Sequence, residues 1–221
     1  MGVKRAVDIV LEIAQKSNNR KIYTYGPLIH NPQTIELLKK RGISPIERIE
    51  EIDASGNTIL IIRAHGISPE ERNAIRDKGV TIVDATCPKV AHVQSIIRKH
   101  AEQDYTTVIV GDREHPEVNG LLGYAGAKGV VLSHEDEVKT LPAAAKVCVV
   151  AQTTQNLDEY DRIVTGIRMR FPEAVIFNTI CDSTERRQSE VKDLAHGADA
   201  MIIIGGKNSA NTRRLAELSQ Q

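Results

Sequence analysis

Cys87 and Cys181 stand in matching surroundings in a chain of 221 residues that holds three cysteines. Each follows an apolar run and precedes a helix-like pattern, in Thr86-Cys87-Pro88 and Ile180-Cys181-Asp182. The unsatisfied N–H groups and the dipole of a helix start stabilise a thiolate, which suits it to nucleophilic or metal work. Taken alone, either cysteine reads as readily as a small packed residue. Cys148 differs, because Val147, Val149 and Val150 surround it in mid-run, and it is expected to pack in the core. An odd, sparse set of cysteines argues against a disulfide framework.

Histidines add a second chemistry. His30, His65 and His115 stand at the ends of apolar runs or in the loops that follow, where imidazole donors close to a helix start make a site for phosphate oxygens. One such histidine would be a structural residue, whereas three in the same kind of place point to an anion. His92, His100, His134 and His196 fall on expected helices or turns and read as surface or packing residues. The stretch Gly205-Gly206-Lys207-Asn208-Ser209-Ala210-Asn211-Thr212 has the parts of a phosphate cradle, with Ser209 and Asn211 as donors where a helix begins. It lacks the Gly-Lys-Ser/Thr spacing of a Walker loop. Glu117, just after Pro116, is either a helix-capping acid or a proton donor facing a crevice.

The elements that must position these groups alternate between two periods. A helix-like stripe (Val3, Ala6, Val7, Val10, Ala14) leads into short Val/Ile runs at Ile59–Ile62, Val80–Val83, Val108–Val110, Val147–Val150 and Met201–Ile204. Such runs read as strands buried on both faces, and their alternation with helices is the pattern of parallel βαβ units in an α/β fold. Ser68-Pro69-Glu70-Glu71 reads as a helix start, Lys40-Arg41-Gly42 and Lys78-Gly79 as helix ends, and Pro45, Pro142 and Pro172 as connections. Each run is followed by a small, polar segment carrying candidate residues, and in open parallel sheets ligands bind beyond the carboxyl ends of the strands. The chain enters directly on a helix and closes soon after the Ile202 run, which suggests a segment of a longer protein.

Composition excludes several classes. Lys+Arg and Asp+Glu are both 29, so no net field draws the chain to nucleic acid or a membrane surface. Aromatics are 3% with no Trp, which leaves no base-stacking surface, and no apolar run approaches the roughly 18 residues of a bilayer span. At 41% hydrophobic residues the chain can bury a core. No signal-peptide pattern follows Met1, so the expected compartment is cytoplasmic.

Taken together, His30-Asn31, Ala64-His65-Gly66, Asp84-Ala85-Thr86-Cys87-Pro88, His115-Pro116-Glu117-Val118-Asn119-Gly120, Gln152-Thr153-Thr154, Cys181 and the stretch from Lys207 to Leu215 resemble the LytB/IspH family of 4-hydroxy-3-methylbut-2-enyl diphosphate reductases. The resemblance covers the whole chain in the family's order. It implies three similar α/β domains with parallel sheets around a central cleft, expected here as 1–86 with its first strand missing, 87–178, and a partial third domain at 179–221. It implies a [4Fe–4S] cluster held by three cysteines, of which Cys87 and Cys181 match two. It also implies diphosphate binding by His30, His65, His115, Ser209 and Asn211, with Glu117 as the proton source and Thr153 as its partner. The implied reaction is the last step of the non-mevalonate isoprenoid pathway. The allylic hydroxyl is removed with two electrons from ferredoxin or flavodoxin, giving isopentenyl and dimethylallyl diphosphate.

The sequence departs from the family pattern at both ends. Of the family's Gly-Phe-Cys-x-Gly-Val motif only Gly2-Val3 is present, so the third cluster cysteine is absent from the chain. Ala210 follows Ser209 where some members have a second serine. The expectation is an incomplete reductase, inactive as it stands. The alternatives are a non-catalytic diphosphate-binding α/β protein, a Cys/His hydrolase with Cys87 as nucleophile and His65 or His115 as base, and a zinc site on Cys87, Cys181 and a histidine.

Overall fold

Helices and strands mostly alternate through the computed structural model, which describes residues 2–17, 20–53 and 57–220. Met1 and Gln221, the outer limits of the expected domains, lie outside the described residues. The elements are α1 (Gly2–Lys16), β1 (Lys21–Tyr25), α2 (Pro32–Lys39), β2 (Ile43–Ile46), β3 (Thr58–Ile62), α3 (Pro69–Asp77), β4 (Thr81–Asp84), α4 (Pro88–Ala101), β5 (Thr106–Val110), α5 (Pro116–Ala125), β6 (Gly129–Leu132), β7 (Val147–Ala151), α6 (Leu157–Arg170), β8 (Val175–Ile176), α7 (Asp182–Ala195) and α8 (Ala210–Leu218). The chain divides into two compact units, Met1–Ala91 and His92–Gln221. The expected boundary between 178 and 179 falls inside the second unit.

Each unit is built on a four-stranded parallel sheet. The orders are β2-β1-β3-β4 and β6-β5-β7-β8, the same topology used twice. In both, the chain starts on an inner strand, adds one neighbour, then crosses back and adds the others on the opposite side. The carboxyl ends of β1 and β3, and of β5 and β7, therefore flank a topological switch point, where open α/β sheets form their ligand crevice.

Burial on both faces explains the continuous apolar runs. Along β3, Ile59 and Ile61 pack with Ala6, Val10 and Leu38, while Leu60 and Ile62 pack with Ile46 and Ile75 on the other side. Along β7, Val147, Val149 and Ala151 face Ile163 and Ile167, and Cys148 and Val150 face Ile97 and Leu121. This is the period-2 alternation of a strand covered by helices on both sides.

The helix signals hold where they were read. Ser68 caps α3 in a reciprocal box, its Oγ accepting from Glu71 N at 3.1 Å while Glu71 Oε2 accepts from Ser68 N at 2.8 Å. Gly42 and Gly79 follow α2 and α3 with φ of 78° and 70°, a left-handed turn that a Cβ disfavours.

The strands differ from the sequence reading in several places, β1 and β6 among them, which match no run read there. The run at Val80–Val83 becomes β4, which lies at the sheet edge and is only partly buried. Pro45 is not in a connection but inside β2, the opposite edge, where its missing N–H breaks no pair with an outer neighbour. Met201–Ile204 forms no strand: Ile202 and Ile204 are 87% and 92% exposed, because no described strand pairs with the run. No helix among the described residues is long and apolar enough to cross a membrane.

Candidate functional site

In the first unit the loops after β1, β3 and β4 carry the chemistry. His30 stands just before α2, and His65 follows β3 by three residues. Their rings lie 4.7 Å apart between centroids, tilted by 39°. Two imidazoles so placed can offer N–H donors to one anion. Cys87 is joined to the same loop, since its N–H donates to Ala64 O at 3.0 Å. The turn leading to it is set by Asp84, whose Oδ1 accepts from Thr86 N at 2.9 Å, and by Arg5, whose guanidinium donates to Thr86 O at 2.9 Å. Gly2 packs so closely that a Cβ there would come within 2.6 Å of Cys87 Sγ. Glycine at that position is what lets the chain pass the thiol. The contribution of Arg5 carried no sequence signal, because its partner lies 81 residues away.

In the second unit the loops after β5, β7 and β8 do the same. His115 is the N-cap of α5, and its Nδ1 accepts from Glu117 N at 3.1 Å. This bond favours the tautomer that carries its proton on Nε2, which makes that nitrogen a donor. Glu117 is 2% exposed, more deeply placed than a capping acid requires. Its two oxygens accept from Thr153, Oε1 from the backbone N–H at 2.7 Å and Oε2 from the hydroxyl at 2.9 Å. Burial pushes its pKa up to about 7, against the lowering effect of both Thr153 bonds and with help from the charge of Asp112. Thr153 in turn accepts through its carbonyl from Cys181 N at 2.9 Å. Glu117, Thr153 and Cys181 thus form one bonded chain from the first turn of α5 to the start of α7.

Cys181 is the N-cap of α7, and its Sγ lies 3.2 Å from Ser183 Oγ. Ser209 caps α8, its Oγ accepting weakly from Thr212 N at 3.4 Å, and Asn211 lies in the first turn of that helix. The structure shows a cap at Ser209, which by itself assigns no ligand.

The three thiols separate cleanly. Cys148 is fully buried in mid-strand, and burial pushes its pKa up to about 12. It is a packing residue, as expected. Cys87 and Cys181 are free and partly exposed. Soft thiolates are the donors that iron–sulfur clusters take, but two of them do not complete the three-thiolate set of a [4Fe–4S] cluster. Cys87 and Cys181 carry that donor type at two helix starts of the chain.

The profile of the family described as LytB protein matches residues 1–221. A 4-hydroxy-3-methylbut-2-enyl diphosphate reductase of Clostridium acetobutylicum is 42% identical over 218 residues, 98% of this chain and 34% of that protein. The protein of the same name from Geobacter sp. strain M21 is 41% identical over 220 residues, with 76% of its length covered. Among solved structures, the E-1-hydroxy-2-methyl-but-2-enyl-4-diphosphate reductase from Plasmodium falciparum superposes with a TM-score of 0.94 at 30% identity, covering 99% of this chain and 69% of that one. A family model that spans the whole chain and relatives more than 40% identical to it show that the chain belongs to the LytB family of 4-hydroxy-3-methylbut-2-enyl diphosphate reductases.

Proposed function

We propose that this chain carries the diphosphate-binding and proton-delivering parts of a reductase acting on 4-hydroxy-3-methylbut-2-enyl diphosphate. His30, His65, His115, Ser209 and Asn211 bind the diphosphate, and Glu117 supplies the proton with which the allylic hydroxyl leaves as water. The balance is one C–O bond broken, two electrons and two protons consumed, and isopentenyl or dimethylallyl diphosphate released. Ferredoxin or flavodoxin donates the electrons in the cytoplasm.

The observation that carries this reading is Glu117. A glutamic acid with a pKa of about 7 holds its proton near neutral pH and can surrender it there, which a capping carboxylate cannot. Thr153 fixes both of its oxygens. His115, oriented by the Glu117 amide, supports anion binding. Cys87 and Cys181 are read as two cluster ligands, with the third thiolate coming from outside the cysteines of this sequence. Gly2 lies beside that thiol, since a Cβ there would come within 2.6 Å of Cys87 Sγ. The greater length of the relatives supports reading 179–221 as part of a third α/β domain.

Calorimetry with inorganic diphosphate tests the binding half: the chain should bind it, and His65→Ala or Ser209→Ala should weaken the binding. No binding by the parent chain sinks the reading. Anaerobic iron and sulfide counting tests the redox half on the chain extended by Gly-Phe-Cys and by the C-terminal part its relatives carry. A full cluster and hydroxyl-removing activity are expected there, and an extended protein that takes up no iron overturns the assignment. The two-thiol donor set favours a second reading for the chain as given, a diphosphate-binding protein without catalysis. Diphosphate binding with iron below one cluster per chain is its signature.

A further inference from the structure

Asp112 and Arg214 are 102 residues apart in sequence and form an ion pair in the second unit, Arg214 Nη2 to Asp112 Oδ1 at 2.7 Å. Arg213 adds a longer contact to Oδ2 at 3.4 Å. The pair is partly sheltered, the Arg214 side chain being 17% and the Asp112 side chain 28% exposed. A bond of this kind, charge-assisted and partly desolvated, is stronger than a surface ion pair.

Both ends of the pair are attached to candidate ligand-binding residues. Asp112 lies in the β5–α5 loop, where its carbonyl accepts from His115 N at 3.0 Å and its own N–H donates to Gln152 Oε1 at 2.8 Å. Arg214 is on α8, three residues after Asn211 and so on the same helix face, one turn from the Ser209 cap. The chain enters α8 from Met201–Ile204, which is not a strand and leaves Ile202 and Ile204 in solvent, and α8 itself packs against α7.

We propose that Asp112 and Arg214 form a latch that fixes the start of α8, with Ser209 and Asn211, to the loop that carries His115 and Glu117. Both are positioning residues that bring the two halves of a diphosphate site into register. This rests on the diphosphate reading given above, and the latch itself can be read without any ligand.

Arg214→Gln, Arg214→Lys and Asp112→Asn are compared with the parent chain, circular dichroism confirming that each is folded. In ligand-free protein, hydrogen exchange at the amides of 212–215 should quicken by about tenfold or more in Arg214→Gln and Asp112→Asn, the scale of one lost charge-assisted bond, and stay closer to the parent in Arg214→Lys. Unchanged exchange in that segment overturns the latch, whatever the ligand does. With inorganic diphosphate as probe, Arg214→Gln should weaken binding, and Ser209→Ala should add little further loss in that background. A purely structural pair would leave the Ser209→Ala effect intact, and that result also overturns the latch. A parent chain that binds no diphosphate but shows the exchange change overturns the functional reading and leaves the latch standing.

Discussion

The Thr153 amide and hydroxyl both donate to Glu117, one to each carboxylate oxygen, at 2.7 and 2.9 Å. Two donors favour the charged form, yet desolvation outweighs them and the acid titrates near 7. The hydroxyl can reverse its role and accept when Glu117 is protonated, so the pair stays bonded in both states. A proton source needs this property, because it must give up its proton without losing its position.

Stability should fall with rising pH through the Glu117 titration. Unfolded, this glutamate loses its proton near 4.5; folded, it keeps it to about 7. Between these values the native state binds the extra proton. Its contribution is full below 4.5 and fades as pH rises through 7, by up to about 3 kcal/mol. Urea melts of the parent chain and Glu117→Gln across pH 4.5 to 8 check this. The difference between the two should shrink or change sign with pH, and parallel profiles would refute it.

In an enzyme extended to the full ligand set, Glu117→Gln should lower turnover by the ~10²–10⁴ of a lost general acid while diphosphate affinity stays near the parent value. Steady-state kinetics beside calorimetry separates the two effects. Turnover within about twofold of the parent would return Glu117 to the role of a helix-start acid.

Thr153→Val should act on the same proton from the other side. It removes the hydroxyl donor to Oε2 and keeps the backbone donor to Oε1. With one stabilising bond gone, the Glu117 carboxyl should titrate higher, readable as an upward shift of its carboxylate infrared band titration. A downward shift would mean that Thr153 does not stabilise the charged form.

The cysteines should part by substitution. Cys148→Ala removes a small buried group and should cost on the order of 1 kcal/mol with iron content unchanged in the extended enzyme. Cys181→Ser should abolish cluster uptake without altering the fold, since a hydroxyl packs like the thiol but is a poor iron ligand. Iron retained by Cys181→Ser and lost by Cys148→Ala would reverse the assignment.

The α/β class was legible because Ile59–Ile62 and Val147–Val150 are apolar at every position, as a strand covered on both faces demands. Met201–Ile204 reads identically, and its failure shows that a strand also depends on a neighbour whose presence its own residues do not encode. β2 was hidden for the converse reason, Pro45 arguing against a strand that its edge position permits. Cys87, Cys181 and His115 stand at helix starts as read, since caps are local signals. The burial of Glu117 was not legible, because Pro-Glu at a helix start looks the same whether or not a threonine 36 residues later closes over it.

Cys148 has a use that its sealed position creates. It lies at the centre of β7, between β5 and β8, with no exposed surface. A thiol reagent can reach it only when the sheet of the second unit opens, whereas Cys87 and Cys181 are within reach of solvent in the folded chain. Alkylation of the native protein should therefore show two fast modifications and one slow one. The rate of the third is a clock for the opening of that unit alone, since the first unit contributes no buried thiol.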